Sequence, residues 1–195
     1  MVEFKEWPKI PRGGPNEIIT ITEKIDGTNA CVIVEDGLYG DDDKTCYVTG
    51  VQSRTRLITP NDDNYGFATW VEKNKDELVK LGPGYHYGEW AGEGIQKNHH
   101  NIKGKKFFLF NSERWRDGRQ ERPACCECVP VLYEGPLVFD NAEGQPVNAL
   151  ERTMWQLWGN SRDQGYHPEG VVVWYHKGRR YEKHTYENAE GKWKS

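Results

Sequence analysis

Short apolar segments alternate with polar turns along most of the chain, and this pattern predicts a sheet-rich protein. Segments rich in β-branched and aromatic residues predict strands or short extended segments at 18–22, 30–35, 46–53, 85–91, 106–112, 129–133, 136–140, 170–176 and 179–186. Asp36-Gly37 is typical of a hairpin turn, and Lys177-Gly178 of a closing hairpin. The segment 1–16 is rich in proline and glycine and is predicted as an extended lead-in.

Two segments have the apolar spacing of helices. A stripe of large apolar residues after the polar segment 61–64 predicts a helix over 65–81, which Gly82-Pro83-Gly84 ends. The spacing from Asn148 to Glu151 is that of a capping box, which predicts a helix from 148 to about 158, ended by Gly159-Asn160. Mostly antiparallel strands with two packed helices make the predicted fold class α+β.

The composition of the 195 residues indicates a protein without a membrane span. Charged residues make up 29% of the chain, no apolar run has the length of a span, and the N-terminus has no signal-peptide core, so we expect a cytoplasmic protein. The length suits one domain over 1–195. Five cysteines indicate reduced thiols, and the spacing of Cys125, Cys126 and Cys128 is not that of a zinc site.

The charge distribution changes what the net charge suggests. A formal net charge of -4 is not that of a general nucleic-acid binder. Basic side chains nevertheless cluster at 97–106 and at 177–183. Each cluster is either an ordinary solvated loop or, beside catalytic residues, a local surface for phosphate.

The segment 21–30 contains the candidate nucleophile. Lys24 lies between Glu23 and Asp26 and is followed by Gly27 and Asn29. A lysine amine attacks an electrophile only when a metal, neighbouring cations or desolvation favour its neutral form, so Lys24 needs positive partners from elsewhere in the chain. The alternative is a strand end that turns through Asp26-Gly27 and leaves the lysine in solvent.

Five segments together carry a family resemblance. They are Glu-Lys-Ile-Asp-Gly-Thr-Asn at 23–29, Ser-Arg-Thr at 53–55, Tyr-Gly-Glu-Trp-Ala-Gly-Glu-Gly-Ile-Gln-Lys-Asn at 87–98, Phe-Phe-Leu-Phe-Asn at 107–111 and Glu-Gly-Val-Val-Val at 169–173. In order and spacing they resemble the motifs of the covalent nucleotidyltransferases, which include polynucleotide ligases and capping enzymes. The run at 87–98 is most similar to the RNA ligases that seal duplex or structured RNA, and the resemblance spans about 20–187.

The resemblance implies a fold, a reaction and roles for individual residues. The fold is the nucleotidyltransferase, ATP-grasp-like domain of polynucleotide ligases. The reaction is ATP-dependent RNA ligation in RNA repair, with Lys24 forming a lysyl-AMP intermediate and RNA 5′-phosphate or 5′-adenylylated ends joined to a 3′-hydroxyl. The implied catalytic residues are Lys24, Asp26 and Lys183. The implied nucleotide-binding residues are Glu23 at the adenine amino group, Asn29, Arg54, Glu89 at the ribose and Phe110 stacked on the purine. The implied ligand of Mg²⁺ or Mn²⁺ is Glu169. Phe108 shares a strand face with Phe110 and is its rival for stacking.

Two positions depart from the family pattern. Relatives usually have two lysines separated by one residue in the last motif. This chain has Lys183 at the first of these positions and Thr185 at the second. The candidate substitutes for the second lysine are Lys177, Arg179 and Lys192. Asn111 stands where relatives usually have aspartate. We expect no C-terminal accessory domain in this chain, and therefore easier joining of pre-adenylylated than of 5′-phosphorylated RNA. No obligate protein partner is predicted.

Other functions remain open from the sequence. A capping-type guanylyltransferase and a DNA ligase use the same lysine chemistry, although Glu23 and the run at 87–98 favour an RNA ligase. A protein that binds nucleotides or RNA ends without turnover is the alternative from a different class.

Overall fold

The computed structural model describes residues 16–37 and 45–186. Its strands are β1 Ile18–Glu23, β2 Gly27–Gly37, β3 Thr45–Ser53, β4 Gly84–Gly92, β5 Lys105–Leu109, β6 Cys126–Cys128, β7 Val131–Pro136, β8 Val138–Asp140, β9 Pro146–Asn148, β10 Gly170–Tyr175 and β11 Arg180–Thr185. Its helices are α1 Phe67–Leu78, which continues as a 3₁₀ turn over Val79–Leu81, α2 Ser112–Trp115 and α3 Ala149–Asp163. None of the helices in these residues has the length and apolar character needed to cross a bilayer.

Two larger sheets and a small ribbon organise the strands. The first sheet has the order β11-β10-β1-β7, the second has the order β3-β2-β4-β5-β6, and β8 pairs with β9. All the pairings are antiparallel except that between β5 and β6. The predicted α+β class with mostly antiparallel strands is confirmed.

Each sheet buries one face under a helix. Apolar side chains of β1 and β10 pack against α3 in a cluster that contains Ile19, Ile21, Val171, Met154 and Leu157. In the second sheet, apolar side chains of β2, β4 and β5 pack against α1, and the members of this cluster include Val32, Trp90, Phe107, Phe67 and Val71. Because side chains alternate along a strand, each sheet keeps a second face for other residues.

The chain crosses from the first sheet to the second at residues 24–26. Ile25 is buried against Ala91 and Val129, so this short connection is held by the second sheet's own packing. Gly27 then starts β2 beside β4, where an added Cβ would lie 2.5 Å from the carbonyl oxygen of Trp90. The absence of a side chain at Gly27 therefore allows the two strands to approach immediately after the crossing.

The first helix is nearly as predicted and the last helix is longer than predicted. The α-helical part of the 65–81 segment begins at Phe67, after left-handed residues at Tyr65 and Gly66, and its end before Gly82 is confirmed. The predicted end of α3 at Gly159 is wrong, because the helix continues to Asp163. Ser161 is fully buried on this extension, so tertiary packing outweighs the low helix propensity of glycine.

Other differences concern short elements. The aromatic strand ends at Leu109 rather than at residue 112, because Asn111 accepts a hydrogen bond from the backbone N–H of Arg114 and caps the short helix α2. Strands β6 and β9, of three residues each, were not predicted. The lead-in over 1–15, the turn that follows Gly37 and the candidate substitute Lys192 lie outside the described residues.

Asp63 generates a prediction about stability. Its carboxylate accepts hydrogen bonds from the backbone N–H groups of Ala68 and Thr69 and from the Thr69 hydroxyl. Although partial burial raises the pKa of Asp63, these hydrogen bonds with Thr69 and Ala68 lower it overall. Asp63→Ala should therefore reduce the free energy of unfolding by about 1–2 kcal/mol at pH 7 in urea denaturation.

The pH dependence of this loss has a definite sign. A carboxylate with a lowered pKa stabilises the folded protein above its ordinary pKa, and this contribution disappears as the pH falls into the acid range. The difference between wild type and Asp63→Ala should shrink accordingly. Asp76→Ala, on the exposed face of α1, is the matched control. Equal losses from both variants would contradict the role of Asp63.

Candidate active site

Lys24 lies at the end of β1, where the first sheet meets the crossing segment. Its backbone N–H donates to the carbonyl oxygen of Gly170, which keeps it in register with the start of β10. Its ammonium Nζ lies 2.6 Å from Oε1 of Glu169, and both side chains are partly withdrawn from water, with exposures of 23% and 29%. The structure therefore brings together the predicted nucleophile and the predicted metal ligand.

Gly170 explains why Glu169 is followed by glycine. Its φ of +148° is one that side-chain-bearing residues rarely adopt, and a Cβ there would collide with the backbone of His184 on β11. This glycine lets β10 and β11 pair up to their ends and so presents Glu169 to Lys24.

Glu89 faces the same point from the second sheet. Nδ2 of Asn29, directly opposite on β2, donates a hydrogen bond of 3.0 Å to Oε2 of Glu89. Burial is the main cause that raises the pKa of Glu89 to about 7; the charge of Lys24 lowers this pKa, while the carboxylates of Glu169 and Asp26 raise it. Lys24 thus faces several carboxylates, and the pKa of one of them, Glu89, is close to neutral pH.

Asp26 fixes the neighbouring loop. Its carboxylate accepts hydrogen bonds from the backbone N–H groups of Lys97 at 3.2 Å and of His99 at 3.4 Å. These donors belong to the end of the run 87–98 and the basic cluster that follows it. The loop that carries this cluster is therefore attached to the crossing segment next to Lys24.

A cleft lies on the outer face of the first sheet. Thr20 and Thr22 of β1 and Val172 and Trp174 of β10 line it, as expected for residues that alternate with the buried ones, and Phe110, which follows β5 of the second sheet, lines it too. Phe110 is 40% exposed and belongs to no core cluster, whereas Phe108 packs against the Ile25 cluster. Of the two rivals, only Phe110 lines this cavity.

The two predicted basic residues lie at different parts of the site. Lys183 pairs with Val172 across β11 and β10, and Val172 pairs with Thr22, so Lys183 shares the cleft face of the first sheet. Arg54 follows Ser53, which pairs with Ala30, so Arg54 lies on an exposed bend near Asn29. The structure brings Lys183 to the cleft wall and leaves Arg54 at the rim.

Glu23 lies on the opposite face of β1 from the cleft. Its side chain is almost fully buried and its Oε1 accepts hydrogen bonds from the Tyr166 hydroxyl at 3.0 Å and from Nε2 of His100 at 3.1 Å. Alternation along β1 directs successive side chains to opposite faces, so Glu23 contacts Tyr166 and His100 and not the cleft that Thr22 lines. That Glu23 binds the adenine amino group stays a prediction.

Sequence reasoning missed the two partners of Glu23. His100 was included only in a basic cluster and Tyr166 was not singled out. They lie 77 and 143 positions from Glu23, and no local spacing marks a contact over such separations. The sequence offers one signal: if Glu23 lies on the buried face of β1, its carboxylate needs hydrogen-bond donors from other parts of the chain.

The oxygen ligands fit a small, hard cation. Glu169, Glu89 and Asp26 supply carboxylates around Lys24, and hard cations prefer such oxygen ligands. No group of three or more His, Cys, Asp or Glu side chains among the described residues is arranged to hold a metal ion by itself. Proteins often bind Mg²⁺ or Mn²⁺ through one or two carboxylates, with water and substrate phosphates completing the shell.

Solved structures of known proteins have a similar fold. Three are variants of an RNA ligase from Naegleria gruberi, one with AMP and Mn, one with ATP and Mn and one apo. Each has a TM-score of 0.51 and is 21% identical over 87% of this chain. The matches cover 49%, 50% and 49% of those ligases, so the chain spans about half their length.

Sequence comparison gives the more specific result. No curated protein sequence matches the chain. A family model described as RNA ligase matches residues 17–193, which is most of the 195 residues. This protein therefore belongs to the RNA ligase family.

Proposed function

We propose that this protein is an ATP-dependent RNA ligase whose described residues form the adenylyltransferase domain. The observation that carries the proposal is the Lys24–Glu169 pair, which lies where β1 ends and β10 begins, next to the strand residues Thr22 and Val172 that line a cleft. Family membership and the fold shared with Naegleria gruberi ligase structures with ATP and Mn support the same conclusion.

The proposed first step transfers AMP to Lys24. A bond forms between Nζ of Lys24 and the α-phosphorus of ATP, the bond from that phosphorus to the bridging oxygen breaks, and pyrophosphate leaves with the electron pair. The ammonium group loses two protons to solvent, one before the attack and one as the phosphoramidate forms. Covalent catalysis of this kind divides a difficult condensation into easier steps.

The cleft is suited to hold the nucleotide in a fixed direction. The purine would stack on Phe110, with Val172 on the opposite wall, while the α-phosphate would lie towards Lys24. Asn29, which is hydrogen-bonded to Glu89, and Arg54, on the bend that follows Ser53, would contact the phosphates or the ribose. Glu89, which faces Lys24 and Glu169, is placed to help hold the cation as well as the ribose.

Glu169, with Glu89 and Asp26 nearby, would hold Mg²⁺ or Mn²⁺. When bound, the cation would neutralise phosphate charge and stabilise the charge that develops on transfer. In the nucleotide-free protein Glu169 instead pairs with the Lys24 ammonium, which is unreactive in this state. Release of Lys24 from Glu169 therefore accompanies formation of the reactive complex.

The RNA ends would be joined in two later steps. AMP would pass from Lys24 to a 5′-phosphate, and a 3′-hydroxyl would then attack that activated end and release AMP. Lys183, on the cleft face of the first sheet, and the exposed Lys97, whose backbone N–H donates to Asp26, offer phosphate contacts near Lys24. These residues make RNA, rather than a small acceptor, the substrate that the surroundings of the cleft favour.

Lys24→Ala tests the nucleophile. The wild-type protein incubated with α-labelled ATP and Mn²⁺ should retain label through denaturation and release it in acid, as a phosphoramidate does. Lys24→Ala should retain none, because the attacking nitrogen is absent. Lys73→Ala, an exposed lysine of α1, is the matched control and should label normally. Full labelling of Lys24→Ala would contradict the assignment, and labelling by GTP in preference to ATP would indicate a guanylyltransferase.

Glu169→Ala tests the metal site. Loss of the Glu169 carboxylate should reduce the rate of self-adenylylation at least 100-fold, because phosphoryl-group transfer depends mainly on positioning and charge stabilisation. Glu143→Ala, an exposed glutamate between β8 and β9, is the control. A chelator should have the same effect on the wild type. Undiminished labelling in the chelator would exclude the metal role.

Glu89→Gln tests the electrostatics of the cleft in metal-free buffer. Between the ordinary pKa of 4.5 and about 7, folded Glu89 keeps a proton that the unfolded chain has released, so stability falls as the pH rises through this window. Glutamine carries no such charge. Glu89→Gln should therefore be more stable than wild type by about 2–3 kcal/mol at pH 8 and by much less at pH 4.5. Thermal unfolding at both pH values measures this, with the exposed Glu35→Gln as control; a difference independent of pH would contradict it.

A further inference from the structure

Three polar side chains meet behind Lys24, on the face of β1 away from the cleft, and of these Tyr166 is half-buried. Glu23 accepts hydrogen bonds from Tyr166 and His100, and the rings of His100 and Tyr166 lie 5.4 Å apart. The His100 and Glu23 side chains are only 9% and 8% exposed. Burial and the adjacent Glu23 carboxylate raise the pKa of Tyr166, so this hydroxyl keeps its proton and donates.

Each of the three residues belongs to a segment that also carries part of the site. Glu23 is bonded directly to Lys24 in the chain. His100 belongs to the loop whose backbone N–H groups at Lys97 and His99 donate to Asp26. Tyr166 precedes Glu169 by three residues.

Further hydrogen bonds tie the last two segments together. The backbone N–H of His167 donates to the carbonyl oxygen of His99, and Nδ2 of Asn101 donates to the carbonyl oxygen of Gly165. The Glu23 carboxylate is the point at which the end of β1 joins this arrangement. Lys24, the loop that contains His100 and the segment that leads to Glu169 are therefore connected through the buried carboxylate of Glu23.

Burial makes this connection stiff. A carboxylate that cannot reach water loses much of its solvation and depends on the donors that remain. Tyr166 and His100 both donate to Oε1, so removing one of them halves the hydrogen bonding of this oxygen and lets the end of β1 shift. Lys24 is the next residue, so any such movement displaces Nζ relative to Glu169.

We propose that Glu23, His100 and Tyr166 are positioning residues that fix Lys24 relative to Glu169 for the transfer of AMP. The proposal rests on the proposed function, and it assigns Glu23 a role that does not involve the base. Reacting groups must be held close to their reactive geometry, and a displacement of about 1 Å can reduce a rate roughly 100-fold. The cleft proposed for the nucleotide lies on the other face of β1, where Phe110 and Val172 line it.

This separation predicts how variants behave. Tyr166→Phe removes one hydroxyl and keeps the ring. It should lower the rate of self-adenylylation at saturating ATP by about 10-fold or more, the effect of losing one hydrogen bond to a charged group. The ATP concentration that gives half the maximal rate should change less than twofold, because the cleft is intact.

A second pair of variants covers the case in which Tyr166→Phe does not fold. Glu23→Gln keeps an oxygen that can accept from Tyr166 and His100, whereas Glu23→Leu keeps none. Glu23→Gln should therefore lose much less of the rate than Glu23→Leu. Neither should gain activity with GTP, since the base does not contact Glu23.

Tyr133→Phe is the matched control. Its hydroxyl also donates a hydrogen bond, to the carbonyl oxygen of Pro136, but Tyr133 pairs with Ile21 of β1 and does not donate to Glu23. Thermal unfolding of each variant, followed by labelled-ATP kinetics with Mn²⁺, separates loss of folded protein from loss of rate. The control should label at the wild-type rate.

The outcomes are distinguishable. An unchanged rate for Tyr166→Phe, or equal losses for Glu23→Gln and Glu23→Leu, would overturn the positioning role while leaving the proposed function intact. A selective rise in the ATP concentration needed, or a gain of GTP use, would show that Glu23 acts on the base instead. Absence of label from the wild-type protein would overturn the proposed function and this proposal with it.

Discussion

The balance of charge around Lys24 is the constraint on which the rest of the site depends. One ammonium group faces the carboxylates of Glu169, Glu89 and Asp26 in a cleft that is partly withdrawn from water. The balance is incomplete, because one ammonium group faces three carboxylates, and burial in addition raises the pKa of Glu89 to about 7. A divalent cation would complete it, and by occupying Glu169 would also free Lys24. In the proposed mechanism, charge compensation would link cation binding to the reactivity of Lys24.

The two sheets contribute different parts of this arrangement. The first sheet provides Lys24 and Lys183 and leads into β10 from Glu169, whereas the second provides Asn29, Glu89 and the strand that ends before Phe110. The crossing at residues 24–26 joins them within three residues. Because Ile25 is buried in the second sheet and Lys24 is in register with the first, a shift between the sheets would strain this segment directly. The site is therefore sensitive to packing that lies far from the cleft.

Much of the fold and part of the site could be predicted from the sequence. The β-branched segments gave β1, β10 and β11 nearly to the residue, and the motif residues Lys24, Glu89 and Glu169 do come together. What could not be predicted depends on tertiary contacts. The continuation of α3 past Gly159 is stabilised by burial of Ser161, and the direction of Glu23 follows from donors 77 and 143 positions away. A motif predicts which residues share a site, whereas strand alternation decides which of their side chains enter it.

The central claim is that Lys24, and no other side chain, receives AMP. The most direct test is peptide mass spectrometry of the wild-type protein after incubation with ATP and Mn²⁺, under neutral conditions that preserve a phosphoramidate. We predict that the added adenylyl group is found on the peptide that contains Lys24 and that fragmentation assigns it to this residue. An adduct on Lys183, on His100 or on any other residue, or the absence of an adduct, would contradict this account of the site.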